Sequence, residues 1–288
     1  MIQARNKLSQ EELSEAKKLI NCCQAYDETY RDPYLSNMLN FDTNMPAFFL
    51  YYEKGELVGL LTVYADDPDV EVAILVHPNH RCQGIARALY RSFEKETASY
   101  PIESVTFQTE RIFLVRHPDF ASNWGLVEDE ETETWLGKDR RPYPLANVSN
   151  LEVLLADRSY QDQISQLKFQ AFSEDHESRK VVDRYVAKAL KDPESLLYIL
   201  LKNGQVIGTC TVDLSSSTNY LFGLAIAELE RGKGYGTYLA KSLINQLIEQ
   251  NDKAFQIAVE DSNLGAKRLY EKIGFVKQTQ VVYLKPKV

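Results

Sequence analysis

LAIAELERGKGYGTYL, residues 224 to 239, joins an apolar run to a glycine-rich turn and then to a helix-period pattern. Arg231, Gly234 and Gly236 form R-x-x-G-x-G, and Tyr235, Leu239, Leu243, Ile244 and Leu247 recur at helical spacing. The stretch therefore predicts strand, loop, helix, with the glycines opening the helix. A helix's first turn has backbone N–H groups without intrahelical partners and the positive end of the macrodipole, so an anion such as phosphate can bind there. Glycine suits such a loop because a side chain would hold the anion off the backbone, and because a tight turn often needs positive φ.

The signature recurs. VHPNHRCQGIARAL, residues 76 to 89, places Arg81, Gly84 and Ala86 at matching spacing, after an apolar strand and before a helix carrying Ile85, Ala88, Leu89 and Phe93 on one face. Gly84 and Gly234 are 150 residues apart, about one domain length and far beyond a solenoid period, which predicts two copies of one domain.

The 288 residues suffice for two ordinary domains, and 44% hydrophobic with 26% charged is the balance of a soluble globular chain. No 18-residue apolar span is present, the N-terminus lacks a signal peptide's apolar stretch, and a cytoplasmic location is expected. Cys22, Cys23, Cys82 and Cys210 are too few and scattered for a disulfide scaffold, and the sequon at Asn147 reads as a chance match. Net charge is -8, but residues 1 to 145 hold 15 basic against 24 acidic side chains and residues 146 to 288 hold 18 against 17. The acidic runs at 66 to 71 and 128 to 133 read either as solvated loops or as a surface attracting a cationic acceptor. No basic stripe stands out, which argues against a nucleic-acid partner, and the missing apolar span argues against a membrane one.

In order, Ser9 and Glu12 have capping-box spacing ahead of a helix over about 10 to 28. Residues 47 to 52 and 57 to 64 read as strands around Lys54-Gly55, and 70 to 76 as a third. A helix over 85 to 97, a strand over 102 to 108 and a final hairpin within 126 to 136 follow. Residues 137 to 150 hold two prolines and little periodicity, and set the boundary between an N-terminal domain, 1 to 140, and a C-terminal one, 150 to 288. The second half has a strand at 151 to 156, helices near 160 to 173 and 177 to 190, and a hairpin turning at Asn203-Gly204. Strands at 219 to 226 and 255 to 259, a helix over 263 to 273 and a last strand at 281 to 284 complete it. The expected class is α/β (α+β), each domain a mixed, mostly antiparallel sheet flanked by helices.

The glycine loop is neither a Rossmann fingerprint, since Thr237 and Leu239 occupy the positions of its third glycine, nor a Walker loop. VEDSNLGAKRLYEKIGF, residues 259 to 275, narrows the reading. Asn263 ends a strand-to-helix loop, Ala266, Leu269, Tyr270 and Ile273 share a helix face, and Gly274-Phe275 ends the helix. Together the two stretches resemble the GNAT superfamily of N-acetyltransferases, in a tandem arrangement over both halves. The family's later motif, V-x-x-x-N-x-x-A-x-x-L-Y-x-x-x-G-F, matches at Val259, Asn263, Ala266, Leu269, Tyr270, Gly274 and Phe275.

The resemblance implies acetyl-coenzyme A as acetyl donor and transfer to a primary amine of a small molecule or peptide, by direct attack through a tetrahedral intermediate. It implies that Arg231, Gly232, Lys233, Gly234, Tyr235, Gly236 and Thr237 form the pyrophosphate loop, and that main-chain groups of Leu224, Ala225 and Ile226 hold the pantetheine arm and acetyl carbonyl. Asn263 would also hold the pantetheine, and Tyr270 would be the acid that protonates the departing thiolate, a role suited to a phenol. Some relatives place a base glutamate five residues before the asparagine; here that residue is Ala258, and no base is assigned.

In the first half, Ile74, Leu75 and Val76 with Arg81, Cys82, Gln83, Gly84, Ile85, Ala86 and Arg87 match the cofactor elements, but aligning Gly125 with Gly274 puts Leu114 at Asn263 and Ala121 at Tyr270. The expectation is a first domain that keeps a cofactor loop and is catalytically degenerate. The rival reading is a non-catalytic acyl-coenzyme A sensor acting on a protein partner. His77, His80 and Cys82 lack a fourth ligand and predict no metal, and His117 and His176 are isolated.

Overall fold

The computed structural model describes residues 1–146, 148–172 and 179–287. Asn147 of the sequon, His176 and the first two residues of the helix expected at 177 to 190 lie outside the described residues. Along the chain run β1 (Ile2–Arg5), α1 (Gln10–Asp27), β2 (Phe48–Glu53), β3 (Glu56–Tyr64), β4 (Asp69–Val76), α2 (Ile85–Thr97), β5 (Ser104–Glu110), α3 (Arg111–Arg116), α4 (Phe120–Trp124) and β6 (Leu126–Lys138). There follow β7 (Leu151–Leu155), α5 (Gln161–Phe172), α6 (Arg179–Ala189), β8 (Ser195–Lys202), β9 (Gln205–Asp213), β10 (Asn219–Ile226), α7 (Tyr235–Gln250), β11 (Phe255–Glu260), α8 (Leu264–Lys272) and β12 (Val276–Pro286). No described helix is long and apolar enough to cross a membrane.

Two compact units result: Met1–Thr134 with Gln278–Val288, and Trp135–Lys277. They differ from the halves expected at the 137 to 150 linker, because the final strand belongs to the first unit. There Val281 to Leu284 pair antiparallel with Glu110 to Phe107 of β5. Alternating apolar residues identify a strand and its buried face, but not which sheet it joins. The hairpin expected within 126 to 136 is instead one continuous strand, β6. Arg111 pairs with Glu128 at 2.6 Å and Lys285 with Asp129, which offsets part of the strand's acidic run.

In unit 1 the sheet order is β1-β2-β3-β4-β5-β12-β6. Pairing is antiparallel from β1 to β4 and for β5 with β12, and parallel for β4 with β5. Neighbouring residues of β2 face opposite ways, as strand geometry requires. Phe48 and Leu50 pack with Ala16, Leu19 and Ile20 of α1, while Phe49 packs with Ile85, Leu89 and Phe93 of α2. Helix α1 starts at the expected capping box, in which Ser9 Oγ accepts from Glu12 N and Glu12 Oε2 accepts from Ser9 N.

In unit 2 the order is β6-β11-β10-β9-β8-β7, antiparallel from β7 to β10 and parallel for β10 with β11. Leu197, Ile199 and Leu201 pack against Ile164, Val182 and Val186 of α5 and α6, whereas Tyr198 and Leu200 join Leu239, Leu243 and Leu247 of α7. Each unit is thus a mixed, mostly antiparallel sheet with helices on both faces. Both expected tight turns form, with Lys54 and Gly55 at φ 50° and 87° and Asn203 and Gly204 at 51° and 79°, the two positive values a two-residue hairpin needs to match strand twist.

Candidate active site

In unit 2 the parallel pairing of β10 with β11 runs from Asn219↔Phe255 to Leu221↔Ile257, while β10 continues to Ile226 and β11 to Glu260. On its other side, β10 slips register against β9 between Phe222 and Ala225, with Gly223 at φ 58°. Such a bulge bends the strand and re-aims its main chain. Leu224, Ala225 and Ile226, the expected cofactor edge, follow directly. Unit 1 shares the divergence, since β4 and β5 pair only from Asp69↔Ser104 to Val72↔Phe107, but β3 and β4 pair without a register shift.

The two glycine loops have the same backbone. Gly232 and Gly234 sit at φ 74° and 84°, Cys82 and Gly84 at 60° and 83°, so the first loop holds a cysteine in a conformation glycine adopts more cheaply. Gly84 and Gly234 give no side-chain cap to α2 and α7, in contrast to Ser9 on α1, and the leading N–H groups are left for a ligand. The motif arginines act on the strand ends: Arg81 Nε donates to the Val76 carbonyl at 3.0 Å and Arg231 Nε to the Ile226 carbonyl at 3.1 Å. Arg81 also holds Asp27 of α1 through two bonds of 2.7 and 2.6 Å. Glu230 ties Lys202 and Lys233 at 3.0 and 3.1 Å, and Tyr235 lies with its ring 5.2 Å from the Lys202 ammonium. Gly236 is buried, and a Cβ there would stand 3.1 Å from Leu269 Cδ1, so this glycine sets the approach of α8 to α7. Thr237 is in the first turn of α7.

Tyr270 is 6% exposed, within the cluster that holds Cys210 and Ile226, and its ring meets Phe275 edge-on at 6.0 Å. Burial, reinforced by the nearby Cys210, pushes its phenol well above the ordinary value. The group stays protonated at neutral pH and can donate. Asn263 caps α8, its Oδ1 accepting from Ala266 N at 3.0 Å, which leaves the Nδ2 amide for a ligand.

Unit 1 contains a cavity of about 700 Å³. Ile74, Leu75, Val76, Arg81, Cys82, Gly84, Ile85, Ala86 and Arg87 all line it, whereas Gln83 turns back to the Asn79 carbonyl at 3.5 Å. Arg87 also donates to the Asn123 carbonyl. Where unit 2 has the single helix α8, unit 1 has α3 and α4, whose Phe113, Phe120 and Trp124 pack with one another and with Phe107. His77 Nδ1 accepts from Asn79 N at 3.3 Å and His80 Nδ1 lies 2.9 Å from Glu53, so both rings serve the loop. Cys23 donates to the Val76 carbonyl, and burial pushes its thiol up to about 11.

Three features escaped the sequence reading. Gly59 and Gly208 allow close packing: a Cβ on either would fall 2.7 Å from Ile85 Cγ2 or 2.6 Å from Ile226 Cδ1. Glu110, buried, accepts from the N–H groups of Tyr30 and Arg31. Lys168 is buried beside Gly223. An isolated glycine within each strand pattern was the signal for the first; nothing local marks the other two.

Two glycine loops on diverging parallel strands define a tandem acetyltransferase fold, and the sequence profile of the Acetyltransferase (GNAT) family matches residues 13–112 and 161–275. The chain belongs to that family. It is 24% identical over 230 residues to a mycothiol acetyltransferase of Clavibacter sepedonicus, covering 76% of this chain and 73% of that one. Its fold is similar to that of a GCN5-related N-acetyltransferase from Sphaerobacter thermophilus, with TM-score 0.71 and 16% identity over 100% of this chain and 96% of that one. It is likewise similar to a tandem GNAT protein from the clavulanic acid biosynthesis pathway, with TM-score 0.70 and 15% identity over 99% and 97% of the two chains.

Proposed function

We propose that unit 2 transfers the acetyl group of acetyl-coenzyme A to a primary amine of a small molecule or peptide. The observation that carries this reading is the position of Tyr270, a buried phenol in the cluster that also holds Ile226 of the cofactor edge. In this reading the N–H groups from Gly232 to Thr237 bind the pyrophosphate, and the main chain of Leu224, Ala225 and Ile226 orients the pantetheine and the acetyl carbonyl. The Asn263 amide adds a donor to the arm. Tyr270 protonates the thiolate as the amine attacks, which makes sulfur the better leaving group. Similarity to a mycothiol acetyltransferase supports acetyl transfer.

Unit 1 binds coenzyme A without transferring from it. Its cavity, lined by the loop, favours retained binding, and the split of one helix into α3 and α4 leaves no equivalent of Tyr270. That combination also supports a sensing role for this unit toward a protein partner. Calorimetric titration with acetyl-coenzyme A tests both units by counting sites, two being expected. Release of free thiol on adding amines separates transfer from binding. No heat at roughly millimolar cofactor would overturn the assignment.

A further inference from the structure

Lys168 lies on α5, on the face of the sheet opposite α7 and α8. It is 5% exposed, its Nζ is 3.3 Å from Thr211 Oγ1, and the ring centres of Tyr185 and Phe172 are 5.7 and 5.9 Å away. An ideal Cβ on Gly223 would stand 2.7 Å from this Nζ, so the ammonium occupies the space that glycine leaves at the start of the β10 bulge. Leu224, the first residue of the proposed carbonyl-binding edge, is next in the chain. Counting back from the motif arginines puts Ala73 of unit 1 at the position of Gly223, in a strand paired without a bulge. The lysine-glycine contact therefore accompanies Tyr270 and is missing where Tyr270 has no equivalent.

A buried ammonium is costly without a counter-charge. The titratable group facing Lys168 is the Tyr185 phenol of α6, the Cys210 thiol acts on it only through its charge from the other face of β9, and β10 presents the backbone of Gly223. Among the described residues no carboxylate is within ion-pair distance. Burial thus lowers the amine to about 8, and Cys210 only partly opposes this. Cys210 faces the cluster of Tyr270 and the adjacent Thr211 faces α5, so Lys168 and Tyr270 approach β9 and β10 from opposite sides.

We propose that Lys168 is the base of the acetyl transfer, taking a proton from the acceptor's ammonium directly or through one water. The role rests on the acetyl-transfer reading of unit 2. An N–H bond of the acceptor breaks with its proton on Lys168 Nζ, and the freed lone pair forms the C–N bond to the acetyl carbonyl carbon. The C–S bond breaks with its electrons on sulfur, which takes the Tyr270 proton. The second proton leaving nitrogen restores the phenol, and Lys168 returns its proton to solvent.

The test compares wild type, Lys168→Met and Lys168→Arg in thiol release from acetyl-coenzyme A with benzylamine as probe, across pH, with calorimetric cofactor affinity and thermal melting as controls. The expected result is a wild-type rate that rises through the titration of Lys168. Both variants lose about 100-fold in rate along with that rise, with affinity and melting retained. A Lys168→Met enzyme that keeps the wild-type pH profile overturns the proposal. So does a Lys168→Arg enzyme with wild-type rate, which would make the residue a fixed charge. Independently of turnover, an NMR titration in which the Lys168 amine stays charged to about pH 10 also overturns it. A wild-type protein that binds no acetyl-coenzyme A instead removes the reading on which the proposal rests.

Discussion

Tyr270→Phe removes one oxygen from a ring whose packing otherwise stays in place. The residue is 6% exposed and its edge-on contact with Phe275 involves only ring atoms, so stability is expected to change by less than about 1 kcal/mol. The kinetic effect is larger. A positioned proton donor contributes roughly 10²- to 10⁴-fold, and tenfold in rate corresponds to about 1.4 kcal/mol, so kcat should fall at least ~100-fold, or ~2.7 kcal/mol. Cofactor affinity should hold, because the loop and the β10 edge are untouched. Burial first, and Cys210 second, keep the phenol protonated beyond its ordinary range, so titration of this group should not lower the wild-type rate below about pH 10. Steady-state thiol release measures kcat, and calorimetry measures cofactor affinity. An unchanged kcat with unchanged KM would refute the acid role, while a melting point lowered by many degrees would mark the hydroxyl as structural.

Gly234→Ala should destabilise unit 2 by about 1–2 kcal/mol, since φ is 84° and an added Cβ meets nothing within 4 Å, so the cost is backbone strain alone; denaturant midpoints check it, and no change would count against the left-handed loop. Gly208→Ala puts a Cβ 2.6 Å from Ile226 Cδ1 and 3.3 Å from the Ala225 carbonyl, which predicts about 1–3 kcal/mol of overpacking together with weaker acetyl-coenzyme A binding; wild-type melting and affinity would contradict it. Burial pushes the Glu71 carboxyl up to about 7 despite the Arg31 charge. Between about pH 4.5 and 7 the unfolded chain has released that proton while the folded chain keeps it, so this group's contribution to stability is full below that window and lost as pH rises through it. Glu71→Gln should flatten that decline in pH-dependent unfolding, and an unaltered slope would show that the carboxyl is solvated.

Much of this protein was readable from short spacings. The capping box at Ser9, the turns at Lys54-Gly55 and Asn203-Gly204, and the two glycine loops each depend on a few consecutive residues, whose backbone preferences act locally and so are legible in the sequence. The motif from Val259 to Phe275 pointed to the family in the same way, and the family profile covers both halves. Tertiary structure decided what depends on partners distant along the chain. Whether Val281 to Leu284 serve unit 1 or unit 2 rests on their pairing with β5, more than 170 residues earlier. The bulge in β10 is defined only by its register with β9. Lys168 reads as an ordinary polar helix residue until Thr211 and Gly223 close over it, because the charge of a lysine is set by what removes water from its ammonium, and those groups lie 43 and 55 positions away.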